Sequence, residues 1–323
     1  MLLLRPYAAV TRVFLRCTGN QTPCSDTDLS NCASALQVLR NAHITKPEYV
    51  GSFLSLGMGL VAFHRLISGI SAGGICRFTL SLVRPYYYAG TLQDSDMMEL
   101  VCLIFLDTAQ SLFRAMIPVI QYHVRDSYMV DRHAGLCGPL LPLLYRVCVL
   151  AAAIRTGSDN IPPASSFDNV TEEIRTWVPS ISTAVLDRFS EEEMVLLLTQ
   201  ANVHRTAALL ILHRLRYPFG ERDEEAEALS EAIVAEMTHC LVVAGQYPPN
   251  ITLVFLVAGA EVHSDTGRQN ILSLIQKISG SHFYPFITNL RMFLARVWAG
   301  RDQGTTRYLF RLFEEDPELS IPL

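Results

Sequence analysis

Apolar residues recur in this chain at the three- and four-residue spacing of a helix face from about Asn31 onward, and almost nowhere in the alternation of a half-buried strand. Gly and Pro punctuate the long apolar runs without strand-and-hairpin signals. The period sets the fold class as all-α, a multi-helix domain of packed antiparallel helices. It predicts helices over 31–43, 47–67, 75–87, 94–113, 118–128, 139–155, 171–177, 191–216, 223–244, 252–260, 266–278, 285–298 and 305–314.

With 323 residues, 50% of them hydrophobic, the chain is long enough to bury a large core. Charged residues make up 18% and the formal net charge is −5, which argues against a disordered polyelectrolyte. Of the 26 basic residues only Lys46 and Lys277 are lysines, and no run of Lys and Arg forms a phosphate-binding face. Contact with DNA by these residues alone is therefore not expected.

The mean hydropathy of +0.25 raises the question of a membrane. The uncharged stretch from Cys240 to Ala260 is broken by Gly245, Pro248, Pro249 and Asn250, so it reads as two short buried segments joined by a turn. A soluble chain with no membrane partner is expected. Residues 1–30 read as an irregular N-terminal segment: Met1 to Arg16 holds three arginines and no acid but lacks the serine richness of a transit peptide. Eight cysteines without a secretory signal imply reduced thiols, and the sequons at Asn20, Asn169 and Asn250 read as chance.

Two local signals punctuate the helices. Ser190 followed by Glu191, Glu192 and Glu193 reads as a capping box ahead of a long helix. Gly157 to Phe167, rich in Ser and Pro, reads as an exposed loop that either divides two domains or sits inside one spanning 31–323.

No motif makes a catalytic, cofactor-binding or metal site. Gly57-Met58-Gly59-Leu60-Val61-Ala62 matches a dinucleotide-binding pattern, but no Asp or Glu occurs between Glu48 and Asp94 to take a ribose hydroxyl. Its glycines read instead as small residues where two helices cross. Gly69-Ile70-Ser71-Ala72-Gly73 matches the nucleophile elbow, whose serine needs a preceding strand; here the preceding segment has a helical period, so a helix–helix turn is expected. Ser71 as a hydrolase nucleophile is kept only as an alternative. Cys17, Cys24 and Cys32 lack the paired spacing of zinc ligands. The arginines of His213-Arg214-Leu215-Arg216 and His64-Arg65 read as solvated charges, the former favourably placed at a helix C-terminus. The acids between Glu221 and Glu231 read as helix N-terminal charge bias, with a partner-binding acidic face as the second option.

Residues 207–220, Ala-Ala-Leu-Leu-Ile-Leu-His-Arg-Leu-Arg-Tyr-Pro-Phe-Gly, resemble the A-x-L-L-Y-L-H-R helix and following Pro-Phe-Gly-type loop of the fungal-specific transcription factor domain. That domain is the regulatory half of fungal Zn(2)-Cys(6) binuclear cluster transcription factors. Further similarities follow in order: Leu256 to Glu261, Gly267-Arg268 through Ile271-Leu272, Val297 to Asp302, and Leu312 to Glu315. More softly, 94–106 and the Val130 to Leu136 segment resemble the middle of the family. In such an architecture Trp298 and Phe313 anchor the terminal helices, Gly259 and Pro218 end or tighten helices, and Arg268, Arg301 and Asp302 pair internally.

The resemblance implies a nuclear transcription regulator acting through dimer, effector or coregulator contacts, and not an enzyme. The family's six-cysteine cluster, with its two zinc ions, is absent from these residues. Zinc is accordingly expected only in that cluster, and DNA is expected to be reached through a missing domain or a partner protein. A helical scaffold with no transcriptional role is the remaining alternative.

Overall fold

Helices account for most of the chain, and no strand occurs among the described residues; one isolated antiparallel bridge joins Asp131 and Gly135. The computed structural model describes residues 7–12, 25–69, 72–124, 130–157, 162–182, 187–279, 284–304 and 311. The expected helix over 305–314, including Phe313, lies outside these apart from Arg311.

The longer helices are α1 (Asp26–Arg40), α2 (Val50–Ser68), α3 (Gly73–Tyr88), α4 (Met97–Arg114), α5 (Leu141–Thr156), α6 (Ala164–Thr176), α7 (Glu191–Arg216), α8 (Asp223–Ala244), α9 (Thr252–Glu261), α10 (Asp265–Ser279) and α11 (Tyr284–Asp302). They divide into two compact units, one of 1–107, 279–290 and 320–323, the other of 108–278 and 291–319.

In the first unit α1, α2 and α3 pack in sequence order. Cys32, Ala35 and Leu39 of α1 meet Leu56, Leu60 and Phe63 of α2 in one buried cluster. Burial of this kind, at roughly 25 cal/mol per Å2 of apolar surface, is the main force holding such helices together. The crossing of α2 and α3 uses a glycine. A Cβ built on Gly57 would lie 2.4 Å from Thr79 Oγ1, so only a residue without a side chain lets the helices approach this closely. Gly69 closes α2 in the left-handed region, with φ 62°.

The segment 1–30 is not wholly irregular. Residues 7–12 are helical, and Ser25 caps α1 by accepting from the Asp28 amide. Arg12 pairs with the buried Asp28 at 2.6 Å, which ties the two pieces together.

The second unit is built around α7, which packs on α5, α6, α8 and α9. Ser190 and Glu193 form the reciprocal capping box at its start. Its neighbour α9 is buried from Leu253 through Glu261, as expected of a helix that is apolar all round. Between α8 and α9, Gly245 and Asn250 take φ 68° and 58°, so the long uncharged stretch does break into two helices.

Two expectations in this unit fail. Residues 118–124 form no helix: α4 stops at Arg114, where Ala115 turns to φ 49°. Burial then alternates, with Pro118, Ile120 and Tyr122 inward and Gln121 and His123 outward. Period-two burial suits extended chain, which short apolar runs conceal. The loop over 157–167 is shorter than composition suggests, since α6 starts at Ala164. Phe167, Val170 and Ile174 make a buried stripe at helical spacing within a Ser- and Asn-rich sequence.

Three helical segments, Pro47–Ser68, Gly138–Thr156 and Glu191–Arg216, are long and apolar enough to cross a membrane by length and composition alone. About half of each apolar window is buried within the protein.

Candidate functional site

The segments set apart in the second half of the sequence converge in the second unit on one buried ion network. Arg214, in the last turn of α7, is 6% exposed and faces Glu261, the last residue of α9, which is 2% exposed. Arg214 Nε donates to Glu261 Oε1 at 2.9 Å and Nη2 donates to Oε2 at 2.6 Å, the two-pronged geometry that suits a guanidinium and a carboxylate.

Nη2 of Arg214 also donates to Asp223 Oδ1 at 2.7 Å, and Nη1 donates to the carbonyls of Pro218 and Glu221 at 3.2 and 3.1 Å. One side chain thus holds the whole Tyr217 to Glu221 turn against α7. The far side is closed by α11. Arg301 Nη1 donates to Glu261 Oε2 at 3.2 Å and Nη2 to Asp223 Oδ2 at 3.3 Å. Phe219 lies between the guanidinium carbons of Arg214 and Arg301, at 5.0 and 4.6 Å from its ring centroid.

Two cations and two anions balance, which is the condition under which buried charge is tolerable. Burial pushes the Asp223 carboxyl up, but the hydrogen bond and charge of Arg214, the Gly220 amide and Arg301 together hold it below the usual carboxylate range. Beside the network, Trp298 Nε1 donates to the Gly259 carbonyl at 2.8 Å, and Arg268 makes a two-pronged pair with Asp302 at 2.8 and 2.6 Å. The expected pairing of Arg268 with Asp302 forms, whereas Arg301 turns to Glu261 and Asp223.

A second polar cluster fixes the Val130 to Leu136 segment. Asp131 Oδ1 accepts from the amides of His133 and Ala134, and the His133 carbonyl accepts from Gln200 Nε2 and Asn250 Nδ2 at 3.1 and 3.0 Å. His204, one turn after Gln200 on α7, is fully buried between the carbonyls of Gln200 and Asn250. Burial pushes its imidazole below its ordinary value, and the two carbonyls pull it part of the way back.

Neither cluster offers a reactive group. Each charge is spent on a partner inside the protein, and among the described residues no three His, Cys, Asp or Glu side chains gather as a metal site.

A half-open cleft of ≈ 290 Å3 lies between α8 and α10. Glu227 and Glu231 stand on its α8 wall, Val234, Val262 and Ile271 supply apolar surface, and Asn270 borders it from α10. Gly267, which also lines the cleft, packs closely on Val262, since a Cβ there would meet Val262 Cγ1 at 2.5 Å.

The motifs read from sequence fall out as follows. Gly57 and Gly59 sit within α2, and Gly57 serves the helix crossing, so no phosphate cradle forms there. Ser71 lies outside the described residues; the segment before it is helix α2, not a strand. Cys17 and Cys24 also lie outside, and Cys32 is buried.

One reading is corrected and two are sharpened. Arg214 is not a solvated helix-end charge but the centre of a buried network. Asp223 stands in the first turn of α8 with Glu224 and Glu225, as the helix-terminus reading has it, and in addition accepts from both arginines of the network. Of the two roles expected of Gly259, ending or tightening a helix, the structure shows the second: it lies inside α9, where a Cβ would sit 3.0 Å from the Leu294 methyl carbons. No local pattern reveals that Arg214 is buried; the only signal is that it shares its segment with Pro218 and Phe219.

Both clusters are structural: their ion pairs and hydrogen bonds join segments of the second unit to one another. A family model described as "Fungal specific transcription factor domain" matches residues 35–316. No curated protein and no solved structure matches the chain.

Proposed function

We propose that this chain, which belongs to the fungal specific transcription factor domain family, is the helical regulatory domain of a regulator of the Zn(2)-Cys(6) type and works in the nucleus. Membership alone makes it a fungal transcription regulator in the general sense, and members of the family are typically not enzymes. The observation that supports the finer reading is the span of the match, 35–316, which takes in most of the chain.

In this reading residues 31–323 act as one regulatory domain and 1–30 precede it. They do no chemistry and hold no cofactor. The three long apolar helices serve the protein core rather than a bilayer. DNA is reached through a zinc-bearing reader outside these 323 residues or on a partner protein, a reading supported by the lack of any run of Lys and Arg in this sequence to neutralise phosphates. Regulation comes from protein contacts, through a dimer or a coregulator.

The test is to tether the chain to an unrelated DNA-binding domain in a fungal host and read a reporter gene, with a tagged copy followed by microscopy. Altered reporter output and nuclear signal are expected. An inert tethered chain that is also excluded from the nucleus would overturn the proposal and favour a scaffold. Tight, sequence-specific binding of promoter DNA by the purified chain alone would overturn the assignment of DNA reading to another module.

A further inference from the structure

Helices α4 and α5 run side by side in the same direction. Cys148 Sγ donates to the Thr108 carbonyl at 3.8 Å, and Arg155 Nη1 donates to the Arg114 carbonyl at 3.3 Å. These contacts, 40 and 41 positions apart in sequence, fix one register and bring the last turns of both helices together. Arg114 is the last residue of α4 and Arg155 the last but one of α5, so the junction carries two guanidinium groups.

Arg114 is held there without a counter-group. Its side chain is part-buried, and its Nε is sealed from solvent with no acceptor. The guanidinium makes no hydrogen bond, ion pair or ring contact among the described residues, and the charge that acts on it is the like charge of Arg155. Burial and that like charge hold it below the usual arginine range, yet an arginine stays charged at neutral pH. The carbonyl ends of the two helices favour a cation, but a dipole does not replace an acceptor at a sealed N–H. Arg214 meets the same difficulty with Glu261 and Asp223. At the α4–α5 junction no described residue offers Arg114 an acid.

We infer that the junction of α4 and α5 binds a phosphoryl group, shared by the guanidiniums of Arg114 and Arg155. Three oxygens let such a group accept from both arginines at once, whereas one guanidinium fork already occupies the two oxygens of a carboxylate. Arg155 is exposed and Arg114 only part-buried, which leaves an approach from solvent. A turn of the Arg114 side chain then presents Nε and one Nη as a fork, so binding removes the orphan donor. The site goes beyond the regulatory reading and does not depend on it.

The experiment titrates the purified full chain with inorganic phosphate, read by phosphorus NMR line broadening, with chloride adjusted to hold ionic strength constant. Saturable broadening is expected. Arg114→Met and Arg155→Met should each weaken binding about tenfold or more. Arg114→Lys, which keeps the charge without the fork, should fall between the parent and Arg114→Met. In phosphate-free buffer Arg114→Met should melt no lower than the parent, because it loses an unmet donor and a like charge but keeps an apolar stem. That readout separates a ligand site from a structural arginine.

Phosphoserine and a phosphoserine peptide, titrated in parallel, distinguish the source of the group. Equal binding assigns the site to a small phosphomonoester, and tighter binding of the peptide assigns it to a modified protein segment. No saturation beyond the chloride control, or binding unchanged in both Met variants, would overturn the proposal. So would succinate binding more tightly than phosphate, or a lowered melting temperature of Arg114→Met in phosphate-free buffer.

Discussion

Arg214 and Glu261, 47 residues apart in sequence, form a two-pronged ion pair that is almost sealed from solvent, and the turn after α7, the start of α8 and the end of α9 are all tied to it. Isolated, either charge would be costly to bury; together with Asp223 and Arg301 they neutralise one another.

Removing Glu261 therefore leaves two buried cations with Asp223 as their one remaining anion in the network. Glu261→Ala should destabilise the second unit by about 3–5 kcal/mol, the range for breaking a buried pair on one side. Urea unfolding measures it. A loss below about 1 kcal/mol would mean that the pair is solvated and the network ornamental.

The His204 imidazole is held below its ordinary value of 6.5 mainly by burial. Folded, it stays neutral where the unfolded chain takes up a proton, so its contribution to stability is complete above about pH 6.5 and is lost as pH falls through its lowered folded value. The urea midpoint should drop between about pH 7 and pH 5. In His204→Gln that drop should shrink, leaving what His213, also shifted down by burial, contributes. An unchanged slope in the variant would place the pH dependence elsewhere.

At the crossing of α2 and α3, Gly57→Ala gains about 1 kcal/mol of helix propensity but forces a carbon against Thr79, at an overpacking cost of about 1–3 kcal/mol. A net loss of stability is expected, and it should vanish when measured in a Thr79→Ala background. Were Gly57→Ala as stable as the parent, close approach would not be the reason for the glycine.

Ser190→Ala removes the acceptor for the Glu193 amide and with it half of the capping box. A loss of about 1 kcal/mol is expected, readable as a modest fall in melting temperature. Glu193→Ala, removing the other half, should lower it less than additively when combined, because the two bonds form one unit.

A fluorophosphonate probe should leave the chain unlabelled. The segment before Ser71 is helix α2 rather than a strand, so the setting of a nucleophile elbow is lacking on that side. Labelling that disappears in Ser71→Ala would reinstate a hydrolase.

Much of the backbone was legible because its causes are local. The predicted and observed limits of α7 and α8 agree residue for residue, since Ser190 opens one helix and Gly245 closes the other. The errors have local causes too. Residues 118–124 hold too few apolar positions to separate a period of two from one of three or four, and Phe167, Val170 and Ile174 were hidden by the serines around them. The cleft was legible only as an acidic stretch on α8, because its other wall comes from residues some 35 to 40 positions later.

The periodicity of the sequence was enough to determine an all-helical chain, the apolar face of each helix, and the termini where capping residues occur, because each depends on residues within a turn or two of one another. Tertiary structure alone decided which charges are buried. Arg214 and Arg216 look alike in sequence, yet Arg214 meets Glu261 in the core while Arg216 meets Asp168 at the surface. Two residues on the same helix end differ by the 200° that separates positions i and i+2, so one faces α9 and the other does not. Which partner waits there depends on packing between segments 47 and 78 residues apart, as for Arg214 with Glu261 and Asp223 with Arg301.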